Sequence, residues 1–441
     1  MDFENLLEPL DAEVEGNSLH QFATDLFPIC RSITGNGVRR TLDIISNRIP
    51  LEIRDVPTGT KVFDWTVPRE WNCEAASLRG PDGTIIADFA NHTLHLMSYS
   101  IPVHEKMSLE ALKPHLHSLP DHPDWIPYRT SYYRDDWGFC LPHRVLESLP
   151  DGEYDVQIDS TLEPGSLTYG ECVLPGTTER EVLISCHICH PSMGNDNLSG
   201  IAVTTRLAEL MKGVSRRHTF RFLFIPGTIG SITWLAMNED RARRIDHGLV
   251  VTCVGDEDHP TYKRSRRGTA LIDRAVEFVL SQRNRPFVME NFSPYGYDER
   301  QYCSPGFNLP VGLLTRSPWG RFPEYHSSAD DLTFIKPTAL ADSLRLILEV
   351  FEVLEGEATY VSLNPKCEPQ LGKRGLYDMV GGKQSVQDLR MALLWVLNYS
   401  DGEHTLLEIA HRSRLPFPAI RAASDKLVEA GLLEARPESR P

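Results

Sequence analysis

Three uninterrupted apolar runs dominate the middle of the chain: "EREVLISCHI", "HTFRFLFIPG" and "DHGLVVTCVG". None shows the polar alternation of a strand with one wet face. Runs of this kind are strands covered on both faces, and helical spacing fills the stretches between them, as in "GIAVTTRLAELMKGV" and "GSITWLAMNEDRARRI". This alternation predicts an α/β domain: a mostly parallel sheet with helices on both faces. In such a sheet the groups that do chemistry belong at the carboxyl ends of strands. "CHICH", "PGTIGS" and "GDED" all fall there.

The flanking sequence sets the organisation. "SLHQFATDLFPIC" and "GVRRTLDIISNRIP" read as helices joined through "TGNG", so 1–51 is the N-terminal helical part of the α/β domain. From 52 to 135 the chain turns to short β-type runs broken by Gly, Pro and Asp-Gly, which predicts a small inserted β-rich domain. The α/β domain resumes over 136–360 and closes on a helix, "DSLRLILEVFEVLEG". Pro and Gly mark 361–381 as a linker. Three amphipathic runs over 382–441 predict a winged-helix-like module.

Charge excludes some partners. The net charge of −16 disfavours broad binding to nucleic acid or to an anionic membrane surface. The C-terminal module carries eight Lys/Arg against eight Asp/Glu over 382–441, without the basic excess of a DNA reader. Contact with protein is the expectation there. No apolar run reaches the roughly 18 residues of a spanning helix. The acidic start lacks the basic and apolar regions of a signal peptide, and nine cysteines show no pairing rhythm. A cytoplasmic chain with reduced thiols is expected, and a homo-oligomer is compatible with it.

Three polar residues near the strand ends stand out. His187 closes an apolar run, where a lone histidine is usually structural. Asp196 in "NDNLSG" precedes a helix, and by itself it reads as a cap. His326 lies in "PEYHSSADDL", otherwise a surface loop. Taken together, two imidazoles and a carboxylate at loop ends of one sheet form a plausible zinc set. Their spacing alone does not assemble them.

The order of motifs does. "H-x-C-H-P…N-D-N-x-S-G", "P-x-T-I-G-S", "D-E-R-Q-Y-C-S-P-G" and "Y-H-S-S-A-D" resemble zinc-dependent aminopeptidases of the phosphorylase/hydrolase-like fold. More closely, the chain looks like bacterial polysaccharide biosynthesis proteins with an aminopeptidase-like domain. That resemblance spans nearly the whole length, including "FPICRSITGNGVRRTL", "RTSYYRDDWGFC" and "ALLWVLNYSDGEHTLLEIA". It implies one or two zinc ions held by His187, Asp196, His326 and, after the next strand, Asp256, with Glu257 as an alternate. It implies hydrolysis of an amide beside a free amine, in a small peptide or aminoacyl amide, in the setting of polysaccharide or secondary-metabolite assembly. The segment "YGYDERQYCSPGFNLP" resembles a substrate-pocket lining: Asp298 and Glu299 would meet an ammonium and Arg300 a carboxylate or phosphate, with Tyr325 beside them.

Two positions depart from the aminopeptidase pattern. Cys189 stands where an aspartate usually orients the first histidine, which leaves a backbone carbonyl as one candidate to set the ring; His190 is free to turn inward. Gly227 stands where the family usually has a glutamate, and glycine neither takes a proton nor binds a cation through its side chain. Glu257, Glu299 and Glu324 are the candidate replacements. The other reading of Gly227 is a binding protein on an aminopeptidase scaffold with little or no hydrolysis.

Overall fold

The computed structural model describes residues 6–7, 10–376 and 384–437. The chain divides into two compact units. The first holds the described residues of 9–273 and 286–345, the second those of 2–8, 274–285 and 346–441.

The first unit is built on an eight-stranded sheet. Its order is Glu52–Pro57, Ser166–Leu174, Thr219–Ile225, Glu181–His187, Ile245–Val251, Val311–Thr315, Thr261–Lys263 and Val288–Glu290. The four central strands, from Thr219–Ile225 to Val311–Thr315, run parallel. They are the apolar runs of the sequence: every residue of Glu181–His187 is buried. One charge cluster crosses them. Arg221 donates to Glu171 at 2.6 Å and to both oxygens of Glu181 at 2.6 and 2.8 Å, which ties three neighbouring strands together. Trp234 Nε1 adds a 2.9 Å bond to Glu171.

The β-rich insertion exists with different bounds from 52–135. Glu52–Pro57 pairs with Ser166–Leu174 and belongs to the main sheet. Glu153–Glu163 lies inside a second, antiparallel sheet ordered Ile85–Asp88, Glu70–Arg79, Glu153–Glu163 and Val103–Ser108. A strand's sheet is decided by its partner, and a partner distant in sequence leaves no local mark. The two sheets also share one hydrophobic core: Trp71, Leu78 and Tyr154 join Leu183, Leu223 and Trp234 in a single cluster.

The second unit contains a three-stranded sheet, Asp401–Thr405, Thr359–Ser362 and Leu433–Ala435, with helices Gln384–Tyr399, Leu406–Ser413 and Phe417–Glu429. Thr405 and Glu408 form a reciprocal cap that starts the second of these helices. Thr359–Ser362 takes in the start of the expected 361–381 linker. Residues 377–381 of that linker, with 382–383 and 438–441 of the expected module, lie outside the described residues. Among the described residues no helix is long and apolar enough to cross a membrane.

Candidate metal centre

His187 ends the second strand of the parallel set, so its ring projects at the carboxyl edge of the sheet. Asp196 follows in the turn Gly194–Ser199, just before helix Gly200–Met211. Another loop builds that turn. Asp330 accepts the backbone N–H of Asn195 at 2.6 Å and of Asp196 at 2.9 Å, and its own carbonyl takes Gly194 N at 2.7 Å. Burial pushes the Asp330 carboxyl well above the usual carboxylate range, and the charges of Asp196 and Asp256 act in the same direction. The same loop carries His326.

Three imidazoles surround the Asp196 carboxylate. His187 Nε2 is 2.7 Å from Oδ1, His190 Nδ1 is 3.3 Å from Oδ1, and His326 Nε2 is 3.2 Å from Oδ2. His187 Nε2 and His190 Nδ1 are 3.0 Å apart. Burial alone would raise the Asp196 carboxyl. The charge of His190, the hydrogen bond to His187 and the close approach of His190 and His326 outweigh it and hold the group well below its ordinary value.

The donor set fits a divalent cation. Ligands 2.0–2.1 Å from a tetrahedral zinc stand about 3.3 Å apart, close to the spacings here. Asp196 Oδ2 and His326 Nε2 are both buried and, among the described residues, make no hydrogen bond, although 3.2 Å apart. Two such atoms sharing one small volume is the arrangement a cation joins. His187, His190 and Asp196 also have ligand atoms that all lie within 4.8 Å of one another.

Aromatic rings wall the cluster. Tyr297 stacks on His187 at 5.0 Å between centroids, and Tyr325 stacks on His326 at 3.9 Å. Tyr128 meets His190 and His326 edge to face, at 5.3 and 5.0 Å. Tyr128 comes from the insertion. Its backbone N–H donates to His326 O at 2.8 Å, and Ile126 N donates to Ser328 Oγ at 2.9 Å. The insertion therefore closes one side of the site.

The expected residues divide. His187, Asp196 and His326 come together, and His190 joins them from within "CHICH". Asp256 does not. Asn195 Nδ2, Ser317 N, Ser317 Oγ and Asp258 N occupy its two oxygens at 2.8–3.2 Å, so it braces the Asn195 turn. Glu257 is exposed. Glu299 is buried against Lys263 Nζ at 2.5 Å. Glu324 is half-buried, and its backbone carbonyl accepts from Ser327. Arg300 is half-buried beside the Tyr295 ring. Asp298 is fully buried, with Oδ1 accepting from Ser231 Oγ at 2.8 Å.

Cys189 is a buried neutral thiol. Burial pushes it up to about 12, and it points to the Gly227 carbonyl at 3.7 Å. It does not orient His187, and neither does a backbone carbonyl. Asn197 Nδ2, 3.5 Å from Nδ1 and 3.1 Å from His187 O, and the Tyr297 ring hold the imidazole.

Arg31 was not singled out in the sequence. It is fully buried, with Nε donating to His190 O at 2.9 Å and Nη1 to Leu26 O at 2.7 Å. Burial lowers it to about 10. Its only sequence signal is its place in "FPICRSITGNG".

A family model described as a domain of unknown function, DUF4910, matches residues 20–357, and a winged helix-turn-helix model matches 358–435. The second match starts the C-terminal module before the expected 382. The chain is 51% identical over 419 residues to a Clostridium acetobutylicum protein described as a "putative polysaccharide biosynthesis protein with aminopeptidase-like domain", covering 95% of this chain and 96% of the relative. A Clostridium acetobutylicum crystal structure described as a "putative peptidase" matches with a TM-score of 0.91 at 50% identity, covering 96% of this chain and 97% of that one. The structure of BSAP, a zinc aminopeptidase from Bacillus subtilis, matches with a TM-score of 0.55 at 12% identity, over 78% of this chain and 94% of that one. At that identity the likeness is one of fold.

Proposed function

The chain belongs to the DUF4910 family, with an aminopeptidase-like domain and a C-terminal winged helix, and from that premise we propose that it is a zinc-dependent hydrolase of amides beside a free amine. The observation that carries this reading is the convergence of His187, His190 and His326 on the Asp196 carboxylate at the carboxyl edge of the central strands. These four side chains would hold the ion. When bound, zinc supplies Lewis acidity to a carbonyl oxygen and to water.

The remaining work falls to the chain. Asp196 stays ionised and gives the three imidazoles a shared anionic partner. Tyr128, Tyr297 and Tyr325 fix the rings and exclude bulk water, which strengthens every charge interaction inside. Asp298 offers a buried carboxylate to an ammonium or a proton. Substrates are small peptides or aminoacyl amides, and polysaccharide assembly is the proposed setting.

The test pairs elemental analysis with turnover. Purified protein is expected to hold zinc, and to release amine from an aminoacyl-amide panel in a chelator-sensitive way. Zinc at full stoichiometry with no turnover on any amide would favour the second reading, a binding protein on this scaffold. Gly227 is the observation behind that reading.

A further inference from the structure

Gly227 leaves a defined gap. A Cβ built there would stand 3.2 Å from His187 Cβ and 3.6 Å from each carboxylate oxygen of Asp298. The Asp298 carboxylate thus lies one van der Waals contact from the side-chain position that glycine vacates, beside the first histidine of the centre. A glutamate at 227 would run its own methylenes into that volume.

Asp298 is held there from two sides. Ser231, in the first turn of helix Ile229–Met237, donates to Oδ1 at 2.8 Å. Tyr297, the preceding residue, stacks on His187. The other oxygen, Oδ2, is buried and has no hydrogen-bond partner among the described residues. A buried carboxylate oxygen without a donor is costly, and folded chains retain such groups where a ligand or a reaction uses them. Burial pushes the Asp298 carboxyl up to about 7, with Ser231 opposing and Glu299 adding to the rise. The other carboxylates are placed differently: Glu299 is buried in an ion pair with Lys263 through Oε1, Asp256 takes four donors, Glu257 is exposed and Glu324 is half-buried.

We propose that Asp298 supplies, from the loop before helix Glu299–Tyr302, the carboxylate that position 227 lacks, with Oδ2 as the group that faces the reacting amide. The chemical half of this inference rests on the hydrolase reading above. Water adds its oxygen to the carbonyl carbon and its proton passes to Oδ2. The same proton then goes to the leaving nitrogen as the C–N bond breaks, and Asp298 returns to its starting state.

The test is a swap between the two positions: G227E, D298N and G227E/D298N beside wild type. Thermal unfolding of the metal-free proteins reads the geometry without activity. G227E should lower Tm by pressing a second carboxylate onto a buried one, and G227E/D298N should recover most of the loss. Strictly additive shifts would overturn the shared location. Hydrolysis of an aminoacyl p-nitroanilide, with zinc content measured alongside, reads the chemistry. D298N should keep its zinc and lose about 10²-fold or more in kcat/KM, the scale of a general base. G227E/D298N should regain at least about tenfold over D298N, a recovery a merely structural role for Asp298 would not give. D298N within a few-fold of wild type would sink the catalytic role while leaving the hydrolase reading standing. No turnover by wild type would instead overturn the hydrolase reading, and the Tm comparison would still decide whether Asp298 occupies the place of a residue-227 carboxylate.

Discussion

Asp330 Oδ2 accepts the backbone N–H of Asp196 at 2.9 Å, so the loop that brings His326 also fixes the turn that presents the central carboxylate. In D330N one of the two backbone N–H groups now held by the carboxylate would face an amide donor. An unsatisfied buried donor costs about 1–3 kcal/mol. The expected outcome is a lower Tm and zinc affinity weakened about 10–100-fold, as when an outer partner of a metal ligand is removed. Calorimetric zinc titration measures the second effect. Wild-type affinity in D330N would show that the turn holds its shape without Asp330.

The direct test of the centre is metal content. H187A, D196N and H326A are each expected to lose stoichiometric zinc. Zinc at about 100 times its Kd should stabilise wild type by about 2.7 kcal/mol, and these variants by much less. Equal thermal shifts in all four proteins would place the bound ion elsewhere.

Arg31 clamps His190 through its backbone carbonyl. R31A removes two hydrogen bonds to buried carbonyls and leaves a void, a loss of about 3 kcal/mol. R31K retains the charge but lacks the planar fork that reaches both Leu26 O and His190 O, so it should recover only part of the Tm. Full recovery by lysine would mean that charge, not geometry, is what the site requires.

Arg221 predicts the strength of the sheet's charged anchor. R221L would remove the cation that bridges buried Glu171 and Glu181, leaving Glu171 only the 3.9 Å ion pair with Arg241, at a cost of about 3–5 kcal/mol. Denaturant unfolding at neutral pH measures it. R221L together with E171Q and E181Q should return much of the loss, because the uncompensated charge goes with them.

Glu357 gives a pH signature in the C-terminal unit. Burial raises its carboxyl to about 7 from an ordinary 4.5, against the opposing hydrogen bonds of Thr405 and Leu407 N. Between those values the folded chain holds a proton that the unfolded chain has released. Stability contributed by this group is therefore fully present below about 4.5 and is lost as pH rises through about 7. E357Q should flatten the fall of Tm over that window and make the protein more stable than wild type at pH 8. Parallel Tm–pH curves would contradict the assignment.

Much of the architecture was legible because burial on both faces writes itself into a strand. The runs ending at His187, Ile225 and Val251 could belong only to a covered parallel sheet, and that placed "CHICH" at its working edge. The resemblance to zinc aminopeptidases implied that His187, Asp196 and His326 meet. The insertion's bounds were not legible: which sheet Glu52–Pro57 and Glu153–Glu163 join is set by partners distant in sequence.

What the sequence determined by itself was the covered sheet, the family and three of the four side chains around the candidate centre, since periodicity and motif order are properties of the chain. The tertiary structure decided what each carboxylate does. Asp256 and Asp298 both follow strands and both are buried, yet one has its oxygens filled by neighbouring donors and the other keeps an oxygen free beside Gly227. The difference lies in which donors the folded chain brings within 3 Å, and no spacing along the sequence encodes that.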